Sequence, residues 1–190
     1  MLWHASTLVF KMCIIGNENG HRPSPMTASD FRFRAAAHDD VSALAHLHVA
    51  TFVETHGGSG PTFAVRERQW GEAFSQRSND WFCVVIVGID GELVGFAKGV
   101  PHHDVPGYAG ELNKIYILRR YHRLGLGKRL LGEVSRRFLA NEITSMLLFG
   151  DARNSSNGFY ERMGAERLFA PNGDFHGGYG WRDIHPLIAY

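Results

Sequence analysis

Leu118 to Leu131 reads LRRYHRLGLGKRLL, and the reading of this stretch decides the fold. Directly before it, Gly110 to Ile117 reads GELNKIYI and has the character of a strand. From Leu126 onward, Leu126, Leu130, Leu131, Val134 and Phe138 recur on one face of a helix. Between strand and helix lie Gly125 and Gly127, set among Arg119, Arg120, Arg123, Lys128 and Arg129. The free N–H groups of a helix's first turn point outward, and the helix dipole favours an anion there. Glycine lets the backbone approach that anion with no Cβ in the way. The stretch therefore predicts a phosphate site at a strand–turn–helix junction. A plain glycine turn before a basic helix has the same composition, so the ligand must be read from further residues.

Two nucleotide motifs fail at this junction. A Walker A loop needs Gly, four residues, then Gly-Lys-Ser/Thr. Here Gly127-Lys128 is followed by Arg129, and His122 stands where the first glycine should. A dinucleotide fingerprint needs GxGxxG, and its third glycine position is Leu130. What remains is His122-Arg123-Leu124-Gly125-Leu126-Gly127. It resembles the acetyl-CoA signature of the GNAT family of N-acetyltransferases, Arg/Gln-x-x-Gly-x-Gly/Ala. His122 departs from the usual Arg or Gln but keeps a hydrogen-bonding ring.

A second stretch, Asn154 to Ala165, reads NSSNGFYERMGA. It resembles the later GNAT motif, in which an Asn precedes a helix carrying Phe-Tyr-x-x-x-Gly. Asn154 is placed to cap that helix. Phe159 and Met163 lie four apart and suit a core-facing stripe, and Gly164 suits the helix stop. Tyr160 falls on a neighbouring face. An amphipathic core tyrosine is the simple reading of Tyr160, and the resemblance adds a catalytic one. The resemblance runs from about Phe31 to the C-terminus and is most specific between Gly110 and Ala165.

The whole chain sets bounds. With 190 residues, 44% of them hydrophobic and 21% charged, it suits one globular domain with its own core. A formal net charge of +1 argues against a broad nucleic-acid surface. Cys13 and Cys83 make neither a disulfide framework nor a zinc site, so a reducing cytoplasm is expected and no metal is. Leu2 to Gly16 is fairly apolar, but it contains His4 and Lys11 and is too short to span a membrane. It also lacks the basic start of a signal peptide. Asn17 to Ser29 is rich in Gly, Pro, Asn and Ser and reads as linker, with Met26 just ahead of the domain. Residues 1–30 are expected to be a dispensable N-terminal extension and residues 31–190 the acetyltransferase domain.

Along the chain, Phe31–Arg34 reads as a first strand, and Val41–Val53 as a helix led by Asp39 and Asp40. Gly57 to Pro61 breaks it, and a second helix follows over Phe63–Phe74. Trp81–Ile89 and Glu92–Val100 read as strands joined by a two-residue hairpin at Asp90-Gly91. After the glycine turn and its helix come a short strand at Ser145–Phe149, the Tyr160 helix, and a closing pair at Glu166–Phe169 and Tyr179–Ile184. This order predicts an α/β fold: a mixed, mostly antiparallel sheet with helices on both faces. It is also the element order of the GNAT acyl-CoA N-acyltransferase fold.

The resemblance implies direct acyl transfer from acetyl-CoA, as co-substrate, to a primary amine, a small molecule before a protein. It makes Tyr160 the acid that protonates the leaving thiolate. Glu111 is the base candidate, and an exposed strand-end carboxylate is the equal alternative. The strand Lys114-Ile115-Tyr116-Ile117 would line the pantetheine arm, which Asn154 would contact or order. The backbone through Arg123, Leu124, Gly125, Leu126, Gly127 and Lys128 would hold the pyrophosphate. Acceptor loops would be Phe52–Thr62 and Pro101–Tyr108, where Glu54 and Asp104 suit a cationic amine and His56, His102 and His103 supply imidazoles. A non-catalytic acyl-CoA-binding module of the same fold is the runner-up. No nucleic acid and no membrane is expected as partner, and the sequence leaves open whether the chain pairs as a homodimer.

Overall fold

The computed structural model describes residues 26–58, 60–76 and 80–190. The run FCVVIV forms strand β2 (Phe82–Val87) and is buried on both sides. Val84 and Ile86 enter one hydrophobic cluster, and Cys83, Val85 and Val87 enter another. A strand apolar on both faces belongs inside a sheet covered on both faces. The other elements, in chain order, are β1 (Arg32–Ala35), α1 (Val41–His56), α2 (Phe63–Ser75), β3 (Leu93–Pro101), β4 (Gly110–Ile117), α3 (Leu126–Leu139), β5 (Met146–Phe149), α4 (Asn157–Arg162), β6 (Glu166–Phe169) and β7 (Phe175–Trp181).

The seven strands run β1-β2-β3-β4-β5-β7-β6 across one sheet. Every neighbouring pair is antiparallel except β4–β5. Helices α1 and α2 cover one face, with Leu44, Leu47 and Trp70 in the cluster that holds Val85 and Phe96. Helix α3 covers the other with Leu126, Leu130, Leu131, Val134 and Phe138, all at most 1% exposed. Burying each such side chain stabilises the fold by roughly 1.5–3 kcal/mol. This is the mixed, mostly antiparallel sheet with helices on both faces that the element order predicts.

Some boundaries differ from the sequence reading. The β2–β3 connection is not a two-residue hairpin. Gly91 N–H closes a turn on the Gly88 carbonyl at 3.1 Å, and Gly91 follows at φ 85. A left-handed residue after a turn shifts the strand register, and a bulge lies between Ile86 and Val87. Strand β7 begins at Phe175, earlier than expected, because Gly177 at φ 89 passes close to the Gly150 carbonyl. A Cβ there would lie 2.3 Å from that oxygen. Asp40 does more than lead α1: it grips Arg34 at 2.6 and 2.8 Å and accepts the Ala37 N–H at 2.8 Å.

The expectations for residues 1–25 lie outside the described residues. Ala28 packs against the core, and its carbonyl accepts a bond from Arg129. No helix among the described residues is long and apolar enough to cross a membrane.

The feature that makes a site is a fork. Strands β4 and β5 pair only at Gly110↔Met146 and Glu111↔Leu147, then part. A bulge drives β4 away from a straight course. Gly99 faces Leu112 and Lys98 faces Lys114, so Asn113 has no partner on β3. The extra residue inverts the alternation beyond it. Leu112, Ile115 and Ile117 therefore share the α3 face, while Tyr116 joins the α1/α2 face.

Candidate active site

A cleft of about 610 Å³ opens in the fork. Its walls are β4 from Leu112 to Ile117, the end of β5 at Leu148 and Phe149, the turn before α3, and α4 with the loop leading to it.

The turn has the form of an anion cradle. Gly125 lies at φ 80, and no atom would stand within 4 Å of a Cβ placed on it. Arg123 also takes positive φ, at 65. Arg129 N–H closes the first turn of α3 on the Gly125 carbonyl at 3.3 Å. The amides of Leu126, Gly127 and Lys128 lie ahead of that first helical bond, in residues that line the cleft. Gly127 packs against α4, where its Cβ would lie 3.3 Å from Phe159. A phosphate-bearing ligand fits this backbone.

The basic side chains around the turn mostly have other work. The Arg119 guanidinium donates to the Glu54 carbonyl, and its N–H donates to Glu54 Oε2 at 2.8 Å. Arg120 lies 3.8 Å from Glu92. Arg129 sits over the Phe33 ring, and Lys128 Nζ lies 4.0 Å from the centre of the Tyr190 ring. His122 lines the cleft with its Nε2 2.8 Å from the Ile117 carbonyl oxygen, so the ring braces the turn against the end of β4. Leu124 alone of the expected turn residues leaves the cleft wall and packs into the core.

On β4, Ile115, Tyr116 and Ile117 line the cleft. Glu111 stands one residue outside the cleft wall, at the point where β4 and β5 part. Its side chain is 22% exposed and sits between two partners. Asn113 Nδ2 donates to Oε1 at 2.8 Å, and His102 Nδ1 lies 3.4 Å from Oε2. His102 is buried, and its Nε2 accepts the Val105 N–H at 3.1 Å. That bond puts the neutral ring's proton on Nδ1, toward Glu111. Lys114 Nζ donates to Asn113 Oδ1 at 3.1 Å, so His102, Glu111, Asn113 and Lys114 form one polar line. Asn113 was not singled out from the sequence, because only the bulge brings it to the cleft, whereas Lys114 belongs to the strand expected along the pantetheine arm.

Helix α4 brings Tyr160 to the opposite wall. Gly164 N–H bonds the Glu161 carbonyl and Ala165 N–H the Tyr160 carbonyl, both at 3.0 Å, around Gly164 at φ 82. This is a Schellman stop, as Gly164 predicts. Tyr160 packs among Phe159, Tyr179 and Trp181. Burial pushes its phenol up to about 12, with Tyr116 and Tyr179 adding to the shift. Its hydroxyl makes no hydrogen bond among the described residues. Asn154 lines the cleft, but it does not cap the helix through its side chain. Its Oδ1 instead accepts the Ser156 N–H at 2.9 Å, a turn set just ahead of α4.

Of the acceptor-loop candidates, Thr55 and His56 line the cleft, Glu54 is engaged with Arg119, and His103 and Asp104 are exposed. Among the described residues no three His, Cys, Asp or Glu side chains converge as a metal-ligand set.

Comparison with known proteins gives a consistent picture. A family model described as the acetyltransferase (GNAT) family matches residues 42–165. The chain is 28% identical over 163 residues to the uncharacterized N-acetyltransferase YuaI of Bacillus subtilis (strain 168), covering 81% of this chain and 94% of that protein. Among solved structures, the PaiA N-acetyltransferase of Thermoplasma acidophilum, in complex with coenzyme A, aligns with a TM-score of 0.62 at 19% identity. That match covers 79% of this chain and 97% of the other. An acetyltransferase of Thermus thermophilus aligns with a TM-score of 0.63 at 16% identity, over 82% and 99% of the two chains.

Proposed function

This chain belongs to the GNAT family of acetyltransferases, and from that premise we propose that it moves an acetyl group from acetyl-CoA to the primary amine of a small molecule by direct attack. The single observation that carries this reading is the fork between β4 and β5, closed at one end by the glycine turn and faced by Tyr160. The fork leaves the β4 backbone beyond Glu111 without a strand partner on the β5 side, so an extended pantetheine arm can pair there. The amides from Gly125 to Lys128 take the pyrophosphate. The thioester then lies near the point where the strands part.

The amine nitrogen forms a bond to the thioester carbonyl carbon, and the carbon–sulfur bond breaks. The ammonium proton leaves before attack, and the sulfur gains a proton as it departs. Tyr160 supplies the second proton. Its raised pKa keeps the phenol protonated near neutral pH. The same burial destabilises a thiolate in the cleft, which strengthens that sulfur's pull on the phenol proton. Glu111 takes the ammonium proton through an intervening water, since its carboxylate stands just outside the cleft wall. His102 and Asn113 hold that carboxylate in place.

The test is coenzyme A release across a panel of amines, with mass spectrometry of the products. Primary amines are expected to be acetylated and matched tertiary amines to give no release. Release that is independent of any amine would identify a hydrolase and overturn the proposal.

A further inference from the structure

Lys114 lines the cleft, and two further cations, Lys98 and Arg66, act on it, against the single nearby carboxylate of Glu111. Lys98 and Lys114 are direct partners across β3 and β4, an arrangement in which like charges repel. Lys98 lies half-buried, with its Nζ 4.9 Å from the Trp81 ring centre and 6.0 Å from that of Trp70. Arg66, on α2, holds its guanidinium 5.7 Å from the Phe52 ring centre. None of the three lies in a salt bridge among the described residues, although nine such pairs occur elsewhere.

Unpartnered polar atoms mark the same place. His48 is 2% exposed, and its ring lies 5.4 Å from that of Tyr116, which lines the cleft. Among the described residues its Nδ1 has no hydrogen-bond partner, and neither has Arg66 Nε nor Trp70 Nε1. Buried polar groups are ordinarily paired, and each exception calls for a reason. Burial lowers the Lys114 pKa, Lys98 and Arg66 lower it further, and Glu111 opposes them in part. Such a cluster is stabilised by a negative group. Of the two carboxylates expected from the sequence to meet a cationic acceptor, Glu54 is held by Arg119 instead and Asp104 is exposed.

We propose that the acceptor is an amine that also carries a carboxylate, and that Lys114, backed by Arg66 and Lys98, binds that carboxylate on the α1/α2 side of the cleft. This rests on the acetyltransferase reading above, and it adds the substrate class. Lys114 is suited to the task because it follows the bulge residue directly. It can hold the carboxylate of an acceptor whose amine, on the adjoining carbon, reaches toward the fork and Glu111.

The experiment compares paired acceptors, each an α-amino acid and its decarboxylated amine: phenylalanine with phenethylamine, leucine with isoamylamine, lysine with cadaverine. A charge-assisted contact contributes roughly 10- to 100-fold. At least one amino acid is expected to exceed its amine in kcat/KM by that factor, with the ratio collapsing toward unity in Lys114→Met. Equal rates, or a preference for the decarboxylated member in every pair, would overturn the proposal. A second readout is independent of turnover: titration with glutarate followed by tryptophan fluorescence, since Trp70 and Trp81 flank Lys98. Should no amine be acetylated, the acetyltransferase reading fails and this titration decides the anion site alone. Saturable quenching lost in Lys114→Met upholds it, and no saturable change refutes it.

Discussion

At the residue scale, Tyr160 and Glu111 carry the chemistry and His48 carries acid sensitivity. Tyr160→Phe removes one oxygen and leaves the packing among Phe159, Tyr179 and Trp181 in place. Acetyl-CoA affinity should therefore persist while kcat falls roughly 10²-fold, the scale of a lost general acid. Wild-type turnover under conditions where chemistry limits the rate would make the phenol structural. Glu111→Gln keeps the bond geometry with Asn113 but cannot take a proton. We expect normal coenzyme binding and a fall in kcat/KM for the amine. Full activity in the variant would move the role to water. His48 makes a separate claim about stability. Burial, with Arg66 and Lys114 adding, lowers its pKa to about 3. The unfolded chain takes up the proton near the ordinary value of about 6.5, and the folded chain does not until far lower pH. The penalty is absent above that ordinary value and grows as pH falls toward 3, reaching the order of a few kcal/mol. His48→Phe should flatten that acid slope in denaturant titrations. An equal slope in the variant would show that other groups carry it.

At the element scale the deciding pieces are the turn before α3 and the bulge in β4. The turn was legible in the sequence because glycine spacing and helical period are local signals, and Gly125 stands at a positive φ that a side chain strains to adopt. Gly125→Val should cost on the order of 1–2 kcal/mol of stability. It should also weaken acetyl-CoA binding at least ~10-fold, because the new branch projects into the cleft. Calorimetry on the folded variant checks this, and unchanged affinity would remove the turn from the binding site. The bulge was not legible. GELNKIYI carries no mark that Asn113 is extra, because the register against β3 is set by distant partners, Gly99 with Leu112 and Lys98 with Lys114. The hairpin after β2 misled for the opposite reason. Asp90-Gly91 is a strong local signal, but the turn forms one residue earlier and uses Gly91 as its left-handed exit.

At the scale of the whole molecule, sequence order predicted the layers, and pairing created the site. The strand and helix runs were readable one at a time, and so was the covering of both faces, since residues 82–87 are apolar throughout. What could not be read is what lies across the fold from what. His102 meets Glu111 from another strand's end, and Arg119 ties up Glu54 from far along the chain. Such contacts depend on the sheet order β3-β4-β5, in which one parallel pair holds for Gly110 and Glu111 and then opens. The proposed acetyl transfer therefore depends on what enters that opening. The most direct measurement is a crystal structure of the protein grown with acetyl-CoA. We expect the pantetheine arm between β4 and β5, the pyrophosphate on the amides from Gly125 to Lys128, and the thioester sulfur within hydrogen-bonding reach of the Tyr160 hydroxyl. A coenzyme seated elsewhere, or a fork left empty at saturating coenzyme, would contradict it.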